Sequence, residues 1–226
     1  MNESKTVYVV DDDEGVLLSV KALLAQHGYQ VHCYLSAGQF LDEAPTDRPG
    51  CVVTDVAMPE ISGSELQQRL LAADSVLAVV IVTGVADVPM AVALMEGGAV
   101  TLLEKPYNHV ALLDAVERGL AVSRERWERR RGDEAALERL AMLTDEERQV
   151  MEWMLAGQPN KAIARRLDLS MRTVDRRRQA VLGKMEVKSV PELALLLGQT
   201  RSLQPSPHMR GRGAGLGRDA ERTQHR

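Results

Sequence analysis

Asp55 closes the short run Val52-Val53-Thr54-Asp55 and is followed by Val56-Ala57-Met58-Pro59. A charge-free, β-branched run reads as a strand buried on both faces, and a carboxylate at its carboxyl end stands where open α/β sheets hold ligands. Asp also favours caps and turns, so the meaning of Asp55 depends on three other strand ends. Thr6 to Val10 stops at Asp11-Asp12-Asp13-Glu14, Ala78 to Val82 at Thr83-Gly84, and Thr101 to Glu104 at Lys105-Pro106. One or two carboxylates suit a helix amino terminus, at about 0.3–1 kcal/mol each. Four in a row raise one another's pKa unless a cation is near. Mg2+ suits such a block, since it takes one or two carboxylates with waters and a phosphate oxygen. A carboxylate to attack, acids to hold Mg2+, and an ammonium and a hydroxyl to receive phosphoryl oxygens make a complete phosphoryl-acceptor set.

Positioning these groups together requires parallel strands. Strand–helix alternation through residue 120 predicts them, and right-handed crossovers then bring the carboxyl ends to one edge. Helical spacing at Val16, Val20, Leu23 and Leu24 ends at His27-Gly28, and Tyr29 to Tyr34 reads as the second strand. Ser36 with Gln39 and Ser62 with Glu65 read as capping boxes, and 45–50 as a surface loop. Asp87 is expected to cap a helix reaching Gly97, with Pro89 in its first turn.

The segments Val9-Val10-Asp11-Asp12, Asp55-Val56-Ala57-Met58-Pro59, Thr83-Gly84 and Lys105-Pro106-Tyr107 together resemble, in order and separation, the receiver domain of bacterial two-component response regulators over roughly residues 4–122. The resemblance implies a flavodoxin-like α/β fold with strand order 2-1-3-4-5. It also implies Asp55 as phosphoacceptor, Mg2+ held by Asp11, Asp12, Asp55 and the Ala57 carbonyl, and phosphoryl oxygens bound by Thr83 and Lys105 beside a cis Lys105–Pro106 peptide. The surface of the fourth helix, fifth strand and fifth helix would pair two phosphorylated receivers. Two positions depart from the pattern: Leu102 stands where a switch Tyr or Phe is usual, and Val85-Ala86 follows Thr83-Gly84 where relatives tend to carry His-Gly.

With 226 residues the chain has room for two domains. The longest apolar run is far short of a membrane span, and the polar start reads as carrying no signal peptide. Cys33 and Cys51, without metal-type spacing, read as reduced core thiols of a cytoplasmic protein. The net charge of −4 divides unevenly: residues 1–123 hold 17 acidic against 6 basic side chains, a net of −11, and 124–226 hold 15 against 22, a net of +7. Only the second part is suited to a polyanion.

Leu113, Val116, Leu120 and Trp127 carry the fifth helix toward a helical linker, 123–138, rich in Arg and Glu, which Gly132-Asp133 is expected to interrupt before Leu137, Leu140 and Leu143 resume an apolar stripe. Thr144 to Glu147 is a capping box for a helix with Val150, Met151, Met154 and Leu155 inward. Asn160 is expected to cap a helix from Lys161 to Leu167. After the tight connection Asp168-Leu169-Ser170, Ser170 caps another through Met185, and Ser189 with Glu192 opens a last one ending near Gly198. A short helix, a tight turn and a longer helix form a helix-turn-helix. Arg172, Thr173, Asp175, Arg176 and Gln179 are expected to face outward, flanked by Arg177 and Arg178, as a mostly donor-bearing face suited to a major groove.

Residues 139–198 resemble the LuxR-type helix-turn-helix of the FixJ and NarL response regulators, through Leu143-Thr144, Glu147-Arg148-Gln149-Val150, Asn160 to Ala164, Leu167, Leu169-Ser170, Thr173-Val174 and Lys184-Met185. This likeness implies base reading by Asp175, Arg176 and Gln179, and phosphate contacts mostly by Lys161, Thr173, Arg178 and Lys184; Arg177 stands where His is common. Residues 199–226, rich in Arg, Gly, Pro, Ser and Gln, read as a disordered basic tail.

The sequence therefore reads as a response regulator, not an enzyme, with a sensor histidine kinase, double-stranded DNA and a second copy of itself as partners, and RNA polymerase as a further candidate. Two rivals are a regulator whose receiver serves constitutive dimerisation without phosphorylation, and an aspartate-dependent phosphatase of the haloacid-dehalogenase type. The second fits poorly, because those enzymes tend to carry a DxD nucleophile motif on the first strand.

Overall fold

The computed structural model describes residues 5–84 and 87–199. They divide into two compact units, with the division falling between Arg131 and Gly132. The first unit carries strands β1 (Thr6–Val10), β2 (Gln30–Tyr34), β3 (Cys51–Asp55), β4 (Ala78–Thr83) and β5 (Thr101–Glu104). Helices α1 (Glu14–Gln26), α2 (Ala37–Glu43), α3 (Gly63–Ala72), α4 (Val88–Glu96) and α5 (His109–Ala141) alternate with them. The five strands pair in parallel in the order β2-β1-β3-β4-β5, as the resemblance implies.

Alternation along each strand explains why the runs lack charge, because both faces are covered. Val7, Val9, Val53, Val80 and Val82 meet Leu17, Val20 and Leu24 of α1 and Leu112, Ala115 and Val116 of α5. On the other face Tyr8, Val10, Val52, Val79 and Ile81 meet Phe40 of α2, Leu66 and Leu70 of α3, and Leu94 of α4. Gly119 lets α5 lie close to the sheet, since a Cβ there would stand 2.5 Å from Cys51 Sγ. Burial pushes the Cys51 thiol up to about 12, which keeps it an inert core group.

Several local expectations are corrected. Gly132 does not interrupt α5, which continues through it to Ala141. The buried face of α5 runs through Leu112, Ala115, Val116 and Ser123, with Leu113 only partly buried. Ser123 is fully buried: its hydroxyl donates to the Val76 carbonyl (2.7 Å) and accepts from Gly50 N–H (3.0 Å). Arg126 adds a bond to the Leu77 carbonyl (3.0 Å) and Arg130 one to the Asp74 carbonyl (3.3 Å), so a polar stripe holds this stretch. Ser36 and Ser62 each accept from the N–H three residues on, but Gln39 returns to Leu35 N–H and Glu65 pairs with Arg69, so neither box closes.

In the second unit α6 (Asp145–Leu155), α7 (Asn160–Leu167), α8 (Met171–Lys184) and α9 (Val190–Gln199) enclose Val150, Met154, Ile163, Val174, Val181, Met185 and Leu193. Thr144 and Glu147 form a complete capping box. Leu137 and Leu155, expected inward, are exposed, whereas Leu140 and Leu143 are buried as expected, together with Ala136. The expected tail lies outside the described residues except for Gln199, as do Val85 and Ala86.

Candidate phosphoacceptor site and nucleic-acid interface

Strand register brings the chemistry-bearing residues together. Val10 pairs with Thr54, Asp55 with Val82, and Thr83 with Glu104, so Asp11, Asp55, Thr83 and Lys105 all lie at one carboxyl edge. The Lys105 ammonium donates to Asp55 Oδ2 at 2.7 Å and to Asp11 Oδ2 at 3.1 Å. The second oxygens are fixed by backbone: Asp55 Oδ1 accepts from Ala57 N–H (3.2 Å) and Asp11 Oδ1 from Asp13 N–H (2.9 Å). Partial burial works against the charge on Lys105, but the hydrogen bonds and charges of Asp55 and Asp11 more than offset it, so the ammonium titrates above the ordinary lysine value.

Neighbouring residues hold this edge in place. Thr83 is buried, and its carbonyl accepts from Lys105 N–H at 2.7 Å. The Lys105–Pro106 peptide is cis. Tyr107 packs against the core cluster beneath, and burial raises its phenol pKa. Gly63 is required behind Asp55, because a Cβ there would stand 2.1 Å from the Asp55 carbonyl oxygen. Leu102 packs partly buried against the other core cluster.

The acidic block divides into separate roles. Asp13 caps α1, its Oδ1 accepting from Gly15 N–H (2.7 Å) and Val16 N–H (3.2 Å), so it is explained by the helix alone. Asp11 is buried and Asp12 exposed. Two carboxylate oxygens facing one ammonium already form a divalent acidic cradle, and that donor chemistry fits Mg2+, which needs no more than two carboxylates beside waters and a phosphate oxygen. Among the described residues no three His, Cys, Asp or Glu side chains cluster as a ligand group, and Asp12 is exposed.

The turn between α7 and α8 is set by Asp168, in the left-handed region at φ 51°, and by Ser170, whose hydroxyl accepts from Thr173 N–H at 3.1 Å. Arg172, Asp175, Arg176 and Gln179 of α8 are exposed, as is Lys161 of α7; Thr173, Arg177 and Arg178 are half-buried. Lys184 is engaged within its own unit, donating to Glu147 Oε2 (2.6 Å) and the Met142 carbonyl (3.1 Å). Asn160 is not a cap: Pro159 holds that position, and Asn160 Nδ2 donates to Asp175 Oδ1 at 2.5 Å. No local sequence signal marks that pair, which joins residues 15 apart.

Comparison with known proteins assigns these two sites to recognised domains. Residues 7–117 match the response regulator receiver domain and residues 141–197 the bacterial regulatory proteins of the luxR family. The chain is 44% identical to the transcriptional regulatory protein FixJ of Azorhizobium caulinodans over 202 residues, covering 88% of this chain and 95% of that one. The chain belongs to the two-component response regulators. FixJ of Rhizobium meliloti is 42% identical over 190 residues, covering 83% of this regulator and 92% of that protein. The solved response regulator StyR superposes with a TM-score of 0.76 at 36% identity, over 87% of this regulator and 99% of StyR. Full-length FixJ from B. japonicum gives 0.53 at 38% identity, over 88% and 98%. The regulator thus combines a receiver domain with a LuxR-type DNA-binding domain, in a family of transcriptional regulators.

Proposed function

We propose that this regulator takes a phosphoryl group on Asp55 from a sensor histidine kinase and, so modified, dimerises and binds DNA to control transcription. The observation carrying this reading is the meeting of Asp55 and Asp11 on the Lys105 ammonium at the edge where Thr83 also lies. An Asp55 carboxylate oxygen attacks phosphorus, the phosphorus–nitrogen bond to the kinase imidazole breaks, and the imidazole leaves with the bonding pair. Asp11 and Asp55 would hold Mg2+, which when bound supplies positive charge to the transferring oxygens. Lys105 pairs with the oxygens of the acyl phosphate, and the Thr83 hydroxyl donates to them.

The added dianion draws Lys105 and Thr83 toward it and biases the α4 and β5 surface. A second copy is the partner of that surface: α4 exposes Val88, Val92 and Met95 while burying Leu94. Pairing sets two α8 helices on paired half-sites, with Lys161, Arg172, Thr173, Asp175 to Gln179 and Lys184 at the DNA. Kinase exchange and operator binding place the protein in the cytoplasm, with RNA polymerase as a further partner at the promoter.

Leu102 favours a second reading, in which the receiver dimerises constitutively, because no aromatic ring stands there to couple to Thr83. Sedimentation and genome-wide footprinting with and without a small phosphodonor separate the two. Self-association and operator affinity that rise with the donor support phosphorylation control, and values that stay equal support the second reading.

A further inference from the structure

We infer that Asn160 is a positioning residue for sequence reading: its amide holds the Asp175 carboxylate so that this carboxylate accepts from the exocyclic amine of a cytosine. The inference rests on the DNA-binding role of α8. Asn160 opens α7 and Asp175 lies in the second turn of α8, joined by the 2.5 Å bond from Nδ2 to Oδ1. An Asn at a helix start ordinarily serves its own helix as a cap. Here Pro159 occupies the cap position, α7 has no side-chain cap bond, and the amide is directed to the neighbouring helix.

The choice of donor matters because of what surrounds Asp175. Arg172, Arg176 and Arg178 lie within one turn of it, and an arginine pair would cancel its charge. A neutral amide fixes one oxygen and leaves the charge and the second oxygen available, since a carboxylate offers about four acceptor sites. An uncancelled carboxylate on a groove-facing helix repels phosphates and so works against sequence-independent binding. It is rewarded only by a base-edge donor. Among the four bases, guanine and thymine present acceptors in the major groove, and adenine sets its amine beside the N7 acceptor. Cytosine presents an amine alone, which makes a C·G pair the preferred partner of Asp175.

The test uses the full chain, treated with phosphodonor, on a randomised duplex pool and then on single-base variants of the selected site. Asn160→Ala, Asp175→Ala, the double variant and Asn160→Ser are compared, with thermal midpoint and affinity for unselected duplex as controls. The expected result is a C·G position at which Asn160→Ala lowers discrimination about tenfold, the scale of one mismatched base pair, while midpoint and unselected-duplex affinity stay unchanged. Asp175→Ala loses the same position and binds unselected duplex more tightly, the double variant loses no more than either, and Asn160→Ser restores part of the preference through its hydroxyl. Unchanged base preference in Asn160→Ala, or an equal loss at every position, overturns the inference and leaves the DNA-binding role standing. A parent protein that selects no sequence overturns both.

Discussion

Replacing Ser123 with Ala separates the contribution of a single buried hydroxyl in the receiver from that of the apolar core. The hydroxyl is wholly inaccessible and serves two backbone groups, the carbonyl of Val76 and the N–H of Gly50, both themselves buried. Alanine keeps the helix and removes both partners. A buried polar group left unpaired costs about 1–3 kcal/mol, so the two together give about 2–6 kcal/mol. At about 2–4 °C per kcal/mol for a chain of this size, the thermal midpoint of the receiver unit then falls by about 4–24 °C. Arg126→Ala, which removes one half-buried bond to the Leu77 carbonyl, is expected to cost about 1 kcal/mol. Calorimetry and urea unfolding of the full chain, followed by hydrogen exchange at Gly50, read both effects. A Ser123→Ala variant within about 0.5 kcal/mol of the parent, the ordinary range of a surface change, would refute the reasoning, because two orphaned buried groups cannot be that cheap.

Three further outcomes follow from other sites. Gly63→Ala places a methyl 2.1 Å from the Asp55 carbonyl oxygen and is expected to destabilise the receiver by at least about 1–3 kcal/mol and to slow phosphorylation, read by unfolding and by label incorporation. Lys105→Met leaves the Asp11 and Asp55 carboxylates without their shared ammonium; Mg2+ should bind several-fold more tightly while stable phosphorylation falls, measured by isothermal titration and by labelling. Glu147 titrates below the usual carboxyl value, chiefly through its bond from Lys184. Because the folded value is the lower one, this pair's stabilisation is whole above the unfolded pKa of about 4.5 and is lost as pH falls through the folded value. Urea midpoints of the helical unit should therefore drop on acidification from pH 5 to pH 3, and Lys184→Met should flatten that drop.

The strand ends were legible because a parallel sheet buried on both faces permits no charge until the strand leaves it; Asp11, Asp55 and Lys105 therefore mark the edge they share. Ser170 and Thr144 were legible for a similar reason, since a cap is a local bond between residues three apart. What escaped the sequence was long-range or polar. The stripe of Ser123, Arg126 and Arg130 has no apolar period, so the attachment of α5 beyond Leu120 could not be seen. Gly132 costs a helix only about 1 kcal/mol, which the flanking turns of α5 absorb. Asn160 suits a cap by residue type, but in the fold that preference is outweighed by an acceptor on another helix. Asp13 belongs to the acidic block at the end of β1, and its bonds to Gly15 and Val16 make it the cap of α1.

The central claim, that Asp55 is the acceptor at a shared phosphoryl site, is tested most directly by mapping the label after the full chain is incubated with a small phosphodonor and Mg2+. The account predicts one phosphorylated peptide, containing Asp55, and no incorporation in Asp55→Asn. A label that persists in Asp55→Asn, or that maps to another peptide in the parent, would contradict it.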